Sequence, residues 1–138
     1  MSIDAAVIRL QVLAKACAGV KSAPTYPIEN ANECPFSVAY FGSGEVASQS
    51  STVKFNPTIN VEFFFSPANL ANAYKQIDAT ALEFSQRLCG DPRLGGAVET
   101  IVFPVSFVVI PTKWDTVPMQ SLKFTIPLKS LESTTATP

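Results

Sequence analysis

The clearest pattern in the chain is VKFNPTINVEFFF, residues 53–65. Val53, Phe55, Pro57, Ile59, Val61, Phe63 and Phe65 alternate with Lys54, Asn56, Thr58, Asn60 and Glu62, and only Phe64 breaks the order. Alternate side chains of a strand point to opposite faces, so this period predicts a strand with one buried and one wet face. Fully extended at ~3.3 Å per residue it would span about 43 Å, roughly twice the usual strand. A hairpin arm over about 42–65 that outruns its own sheet is the natural reading. Pro57 marks a bulge, an edge or a bend in it.

Other stretches carry a helical period. Ile3, Val7, Leu10, Ala14 and Cys17 recur at threes and fours with Leu13 beside them, predicting a helix over 2–18 capped by Ser2 and stopped at Gly19. Ser66-Pro67 is a helix-opening pair, and Leu70, Ala73, Ile77, Ala81, Phe84 and Leu88 trace one apolar face behind it, with Tyr74 widening it. Glu83 and Arg87 form an i, i+4 pair on the outer side, and Gly90 fits a left-handed exit.

Between these come FSVAYF as a first strand, GSGEVASQSS as a flexible connection, and AVETIVFPVSFVVI with Ile101, Phe103, Val105, Phe107 and Val109 on one face. PTKWDTVP turns the chain into MQSLKFTIPL, whose Leu122, Phe124, Ile126 and Leu128 face inward. The proline-rich 20–35 reads as a loop, and 131–138 as a small, polar, disordered tail. The order α-β-β-α-β-β predicts an α+β fold in a single domain over 1–130: a four-stranded, mainly antiparallel sheet with two helices packed on one face. The other face carries extra apolar surface around Phe64, Val102 and Val108, which would need a partner.

Composition narrows the function. Of 138 residues, 47% are hydrophobic and the net charge is −1, so a core can form and no one-signed face marks a nucleic-acid binder. There is no histidine, which removes the commonest general base and metal ligand. Cys17, Cys34 and Cys89 are widely spaced and read as reduced thiols, without the C-x-x-C of a zinc knuckle. Asp4, Arg9, Gln11 and Lys15 interrupt the first apolar run, so it reads as neither an export signal nor a membrane span.

Two glycine clusters imitate phosphate loops. In CGDPRLGG, Gly90 and Gly95 have P-loop spacing, but Gly96 stands where the lysine belongs and Ala97 where the hydroxyl belongs. It also runs from helix to strand, the reverse of a phosphate loop. Gly42-Ser43-Gly44 with Ala47 mimics a dinucleotide fingerprint, but no helix follows it. Asp78, Glu83, Glu62 and Asp115 form no converging acid set. Catalytic, cofactor and metal sites are therefore expected to be none. Trp114, the sole tryptophan, lies between prolines and is either packing or an interface anchor.

At GDPRLGGAVETI, between an amphipathic helix and a strand, the chain resembles the tail terminator and tail-completion proteins of long-tailed bacteriophages, in the stretch Asp91-Pro92-Arg93-Leu94-Gly95-Gly96-Ala97-Val98. Arg93 replaces a small polar residue. The element order agrees over roughly 2–130. The resemblance implies a non-enzymatic virion protein, made in the host cytoplasm and built into the tail or neck. It implies self-association into a ring, usually a hexamer, at the head-proximal end of the tail. Its partners would be the tail tube protein and a head-completion or connector protein, with DNA passing without sequence readout and no membrane contact. Other head–tail joining proteins of the neck share the pattern. The candidate interface residues are Trp114, Lys113 and Asp115 in the last turn, Glu45 and Phe64 on the arm, and Arg93. Two further readings compete: a small-molecule-binding α+β domain, and a monomeric adaptor that adds a strand to a partner.

Overall fold

The computed structural model describes residues 3–17, 20, 23, 35–49, 52–66, 70–114, 117–129 and 133–135. The chain forms α1 (Ile3–Lys15), β1 (Phe36–Gln49), β2 (Thr52–Phe65), α2 (Leu70–Gly90), β3 (Thr100–Ile101), β4 (Ser106–Trp114), β5 (Val117–Lys129) and β6 (Ser133–Thr135). The class is α+β. All strand pairings are antiparallel, with β2 between β1 and β5, β4 and β3 along the far side of β5, and β6 on β2.

The inward face of the sheet is the one the alternation marks. Ile59, Val61, Phe63 and Phe65 of β2 and Leu122, Phe124, Ile126 and Leu128 of β5 are buried together with Ala6, Val7, Leu10, Leu13, Ala14 and Cys17 of α1 and Ala73, Ile77, Phe84 and Leu88 of α2. Phe63, Phe84 and Phe124 meet edge to face. Their centroids lie 5.0 Å apart for Phe63–Phe84, 4.9 Å for Phe84–Phe124 and 6.2 Å for Phe63–Phe124, which ties α2 to the two central strands. Gln11, which interrupts the apolar run of α1, is buried and bonded reciprocally to Ser37 of β1: its Nε2 donates to the Ser37 carbonyl at 3.1 Å and its Oε1 accepts from Ser37 Oγ. A buried amide so satisfied fixes where α1 lies on the sheet.

Several sequence expectations are corrected. Gly42–Ser48 is strand, not a flexible connection, so β1 and β2 run as a hairpin of 14 residues a side. A register shift between Phe41 and Ser43 lets β1 follow β2 past the end of the sheet. The Gly44 Cα lies so close to β2 that a Cβ there would sit 3.0 Å from the Asn56 carbonyl oxygen, which is why glycine occupies a strand. The β5 ladder on β2 stops at Thr58↔Pro127, so Thr52–Pro57 project beyond it, about 20 Å at ~3.3 Å per residue. Within the stretch expected to be a disordered tail, Ser133–Thr135 pairs with Thr52–Lys54 of this arm.

The long strand expected over 97–110 is broken into β3 and β4. Ile101 pairs with Leu128 and Ser106 with Thr125, so the edge chain spends Val102–Val105 where β5 spends only Ile126 and Pro127. Trp114 ends β4, paired with Val117, rather than lying in an open turn. Gly90 closes α2 with ordinary helical geometry; the positive φ values belong to Leu94 (48°), Gly95 (67°) and Gly96 (91°).

Candidate assembly surface

CGDPRLGG is answered by its hydrogen bonds. The N–H groups of Asp91, Leu94, Gly96, Ala97, Val98, Glu99 and Ile101 donate to carbonyls of Leu88, Asp91, Arg93, Leu94, Arg93, Lys129 and Pro92 respectively. Gly95 N–H donates to Asp91 Oδ1 at 2.9 Å, and Arg9 Nε of α1 donates to Asp91 Oδ2 at 2.7 Å. A phosphate cradle needs a set of free, converging N–H groups, and these donors already have partners, most of them within the loop. Partial burial opposes the charge on Asp91, but the Gly95 N–H and the Arg9 guanidinium outweigh it and hold the carboxyl below its ordinary value. The stretch is a clasp: it seats Leu94 in the core and fastens α1, the end of α2 and β3 together.

The predicted interface residues do not form one surface. Glu45 is exposed on the arm, where it lines a hollow of about 220 Å³ with Asn56, Thr58, Val102, Pro127, Leu128 and Lys129. Lys113 is exposed near the end of β4, paired with Pro118 at the opposite end of β5. Arg93 is exposed on the clasp, and its carbonyl accepts two of the clasp bonds. Phe64 is not available to a partner in this structure: it is 2% exposed, stacked on Phe36 at 5.0 Å and clustered with Val38 and Met119 on the sheet face away from the helices. The Trp114 side chain and all of Asp115 lie outside the described residues.

Polar groups on that outer face satisfy one another. Tyr40 Oη donates to Glu62 Oε1, and Ser121 Oγ donates to Glu62 Oε2 at 3.1 Å. Burial first, and the Glu62 carboxylate second, push the Tyr40 hydroxyl above its ordinary value. Among the described residues no group of three or more His, Cys, Asp or Glu is placed to hold a metal ion, and no helix is long and apolar enough to cross a membrane.

The apolar surface expected around Val102 and Val108 is present, but its extent along β4 was missed. Phe107 is 53% exposed, Val108 47%, Val109 37% and Ile110 38%, with Val102 and Phe103 uncovered just before them. Phe103, Phe107 and Val109, expected to face inward, are left bare because the helices cover β1, β2 and β5 and stop short of the edge. Ser85, Leu88 and Cys89 of α2 and Phe103, Val105 and Phe107 border a shallow apolar hollow of about 130 Å³ over Phe124. The signal was present in the sequence: FVVI at 107–110 is apolar at every position, which no strand with one wet face can be. A two-sided apolar edge with a backbone margin unpaired among the described residues is a surface suited to another polypeptide.

No protein-family model matches the chain, and no curated protein matches it. Among solved structures, its fold is similar to that of a chain in the virion of a native gene transfer agent particle. The TM-score is 0.53 at 15% identity, and the match covers 93% of each chain.

Proposed function

We propose that the protein is a structural subunit of a phage-like virion. It assembles as a ring, a hexamer in the form the tail-terminator resemblance implies, at the head-proximal end of the tail. There it ends tube polymerisation and offers the surface on which the filled head docks. The observation that carries this reading is β4: a strand apolar on both faces, uncovered by the helices and, among the described residues, open along one backbone margin. A subunit that buries its partners' contacts only on assembly has such an edge. The fold shared over nearly the whole chain with a gene transfer agent virion protein supports a virion role. In the clasp the N–H groups of Leu94, Gly95, Gly96, Ala97 and Val98 are already bonded, which argues against a nucleotide site at CGDPRLGG.

In this reading Lys113, Trp114 and Asp115 at one end of the strands and Glu45 on the arm at the other meet different partners. Native mass spectrometry and negative-stain imaging, with and without the tail tube protein of the same particle, test it. Rings, and tubes of capped length, are expected. A protein that stays monomeric with the tube protein present and leaves tube length unlimited would overturn the terminator role. Rings that bind the head connector but not the tube would instead mark another joining protein of the neck.

A further inference from the structure

The last described strand pairs with the arm beyond the end of the β5 ladder. β6 contributes only Ser133, Thr134 and Thr135, paired with Lys54, Val53 and Thr52. It lies on the same side of β2 as β5 but is not its simple continuation. Thr58 pairs with Pro127 and Thr52 with Thr135, so six steps along β2 correspond to eight along the partner chain. Three residues separate the end of β5 at Lys129 from the start of β6 at Ser133. The segment brings no apolar anchor, and the ladder it makes is far shorter than that of β5 on β2.

We propose that β6 is exchanged between copies: in the assembled form the Ser133–Thr135 strand of one copy pairs with Thr52–Lys54 on the arm of the next. The slot already accepts this sequence, so a second copy's β6 would reproduce the same backbone hydrogen bonds. Exchange of an identical element is therefore nearly neutral at the slot itself. The gain comes from elsewhere, from the apolar β4 edge that closes when two copies are held together. Three residues reach at most about 14 Å, four steps at ~3.6 Å each, so the accepting arm must lie beside the donor's Lys129. Each copy then gives one strand and receives one, a head-to-tail relation that makes a ring if the rotation closes. The inference rests on the ring reading and names the strand that links its members.

The test uses the full chain with Cys17, Cys34 and Cys89 replaced by alanine. One tagged version carries Val53→Cys and a second, differently tagged, carries Thr134→Cys; these positions are direct partners. The two are mixed, assembled and oxidised, then resolved without reductant. A covalent heterodimer at several-fold the level given by a control pair, Val53→Cys with Ser48→Cys, is the expected result. Rings by native mass spectrometry with no heterodimer above control would overturn the exchange and leave the ring standing. A doubly substituted chain that forms only an internal bond inside intact rings would do the same. Absence of rings together with absence of heterodimer would overturn both. Should the triple alanine background fail to assemble, the same two substitutions are made with the native cysteines in place and the heterodimer is digested: a mapped 53–134 disulfide joining the two tagged chains supports exchange, and its absence from intact rings overturns it.

Discussion

Asp91 shows how a single side chain can hold a crossover in place. One carboxylate oxygen takes the Gly95 N–H and the other takes Arg9, so removing it frees a glycine-rich turn and a cation at once. Asp91→Ala is expected to lower stability by about 1.5–2 kcal/mol, the low end for bonds to a charged group because Arg9 is partly exposed. The native carboxyl lies below its ordinary value, while the unfolded one titrates near ~3.9. The stabilisation is therefore full above that pH and fades as pH falls through the native value. Urea midpoints of the two proteins should differ at pH 6–7 and converge on acidification. Cys17 has the opposite sign. Burial first, and Glu83 second, push its thiol up to about 12. The folded form thus holds its proton more tightly than the unfolded form, and the stability this confers is complete below pH ~8.5 and is lost as pH rises toward the native value. Alkylation at pH 8 followed by peptide mass mapping should modify exposed Cys89 and spare Cys17 until denaturant is added.

Elements whose side chains face one solvent and one core announced themselves in the sequence; elements fixed by their neighbours did not. The buried faces of β2, β5 and α2 stand largely where the periods of two and 3.6 put them; Val53 and Phe55 on the arm and Ala81 are only half-buried, Tyr74 is exposed rather than widening the face of α2, and the Leu70 side chain is outside the described residues. The second half of β1 was illegible because Gly42, Ser43 and Gly44 carry turn propensity. They are strand because β2 offers them a ladder and its backbone approaches too closely for a side chain at Gly44. Gly44→Ala is expected to loosen the arm, seen as faster amide exchange over 43–57 with the core amides unchanged. The aromatic trio predicts the contrast: Phe84→Ala, deep between α2, β2 and β5, should cost about 3–5 kcal/mol in chemical denaturation. Val108→Asp on the bare edge should stay within about 0.5 kcal/mol of the parent as a monomer, while abolishing assembly. The break between β3 and β4 left no trace that periodicity could read. It depends on the clasp, whose Pro92 carbonyl receives the Ile101 N–H, and on the Val102 N–H reaching the Pro127 carbonyl at 2.8 Å.

At the scale of the molecule, the chain divides into a solid body and two reaching parts. α1, α2 and the inner sheet face make the body, and the clasp joins the layers. Beyond it stand the hairpin arm, steadied by Lys54 Nζ 3.1 Å from Glu99 Oε2, with Lys129 at 3.7 Å from the same oxygen, and the uncovered β4 edge. These exposed pairs are screened by salt and contribute little to global stability. Raising ionic strength is expected to quicken exchange in the arm while thermal unfolding shifts by no more than a degree or two. The body was legible in the sequence because hydrophobic burial is written in its pattern. The assembly surface was only partly so: a chain records that β4 is apolar on both sides, but which margin of the sheet the helices leave bare follows from packing. Phe107 and Val109 do share the face of Phe124 and Leu122, but with Phe103 they lie beyond the cover of the helices for that reason.

β4 has a practical consequence for anyone producing the protein. From Phe107 through Pro111 the margin carries no charge, and Lys113 is its first gatekeeper. Such a segment, left without company in a crowded cell, templates the stacking of like strands. Overproduced by itself the polypeptide should collect in insoluble deposits. Recovery in the soluble fraction should climb when a partner that covers the β4 margin is expressed beside it.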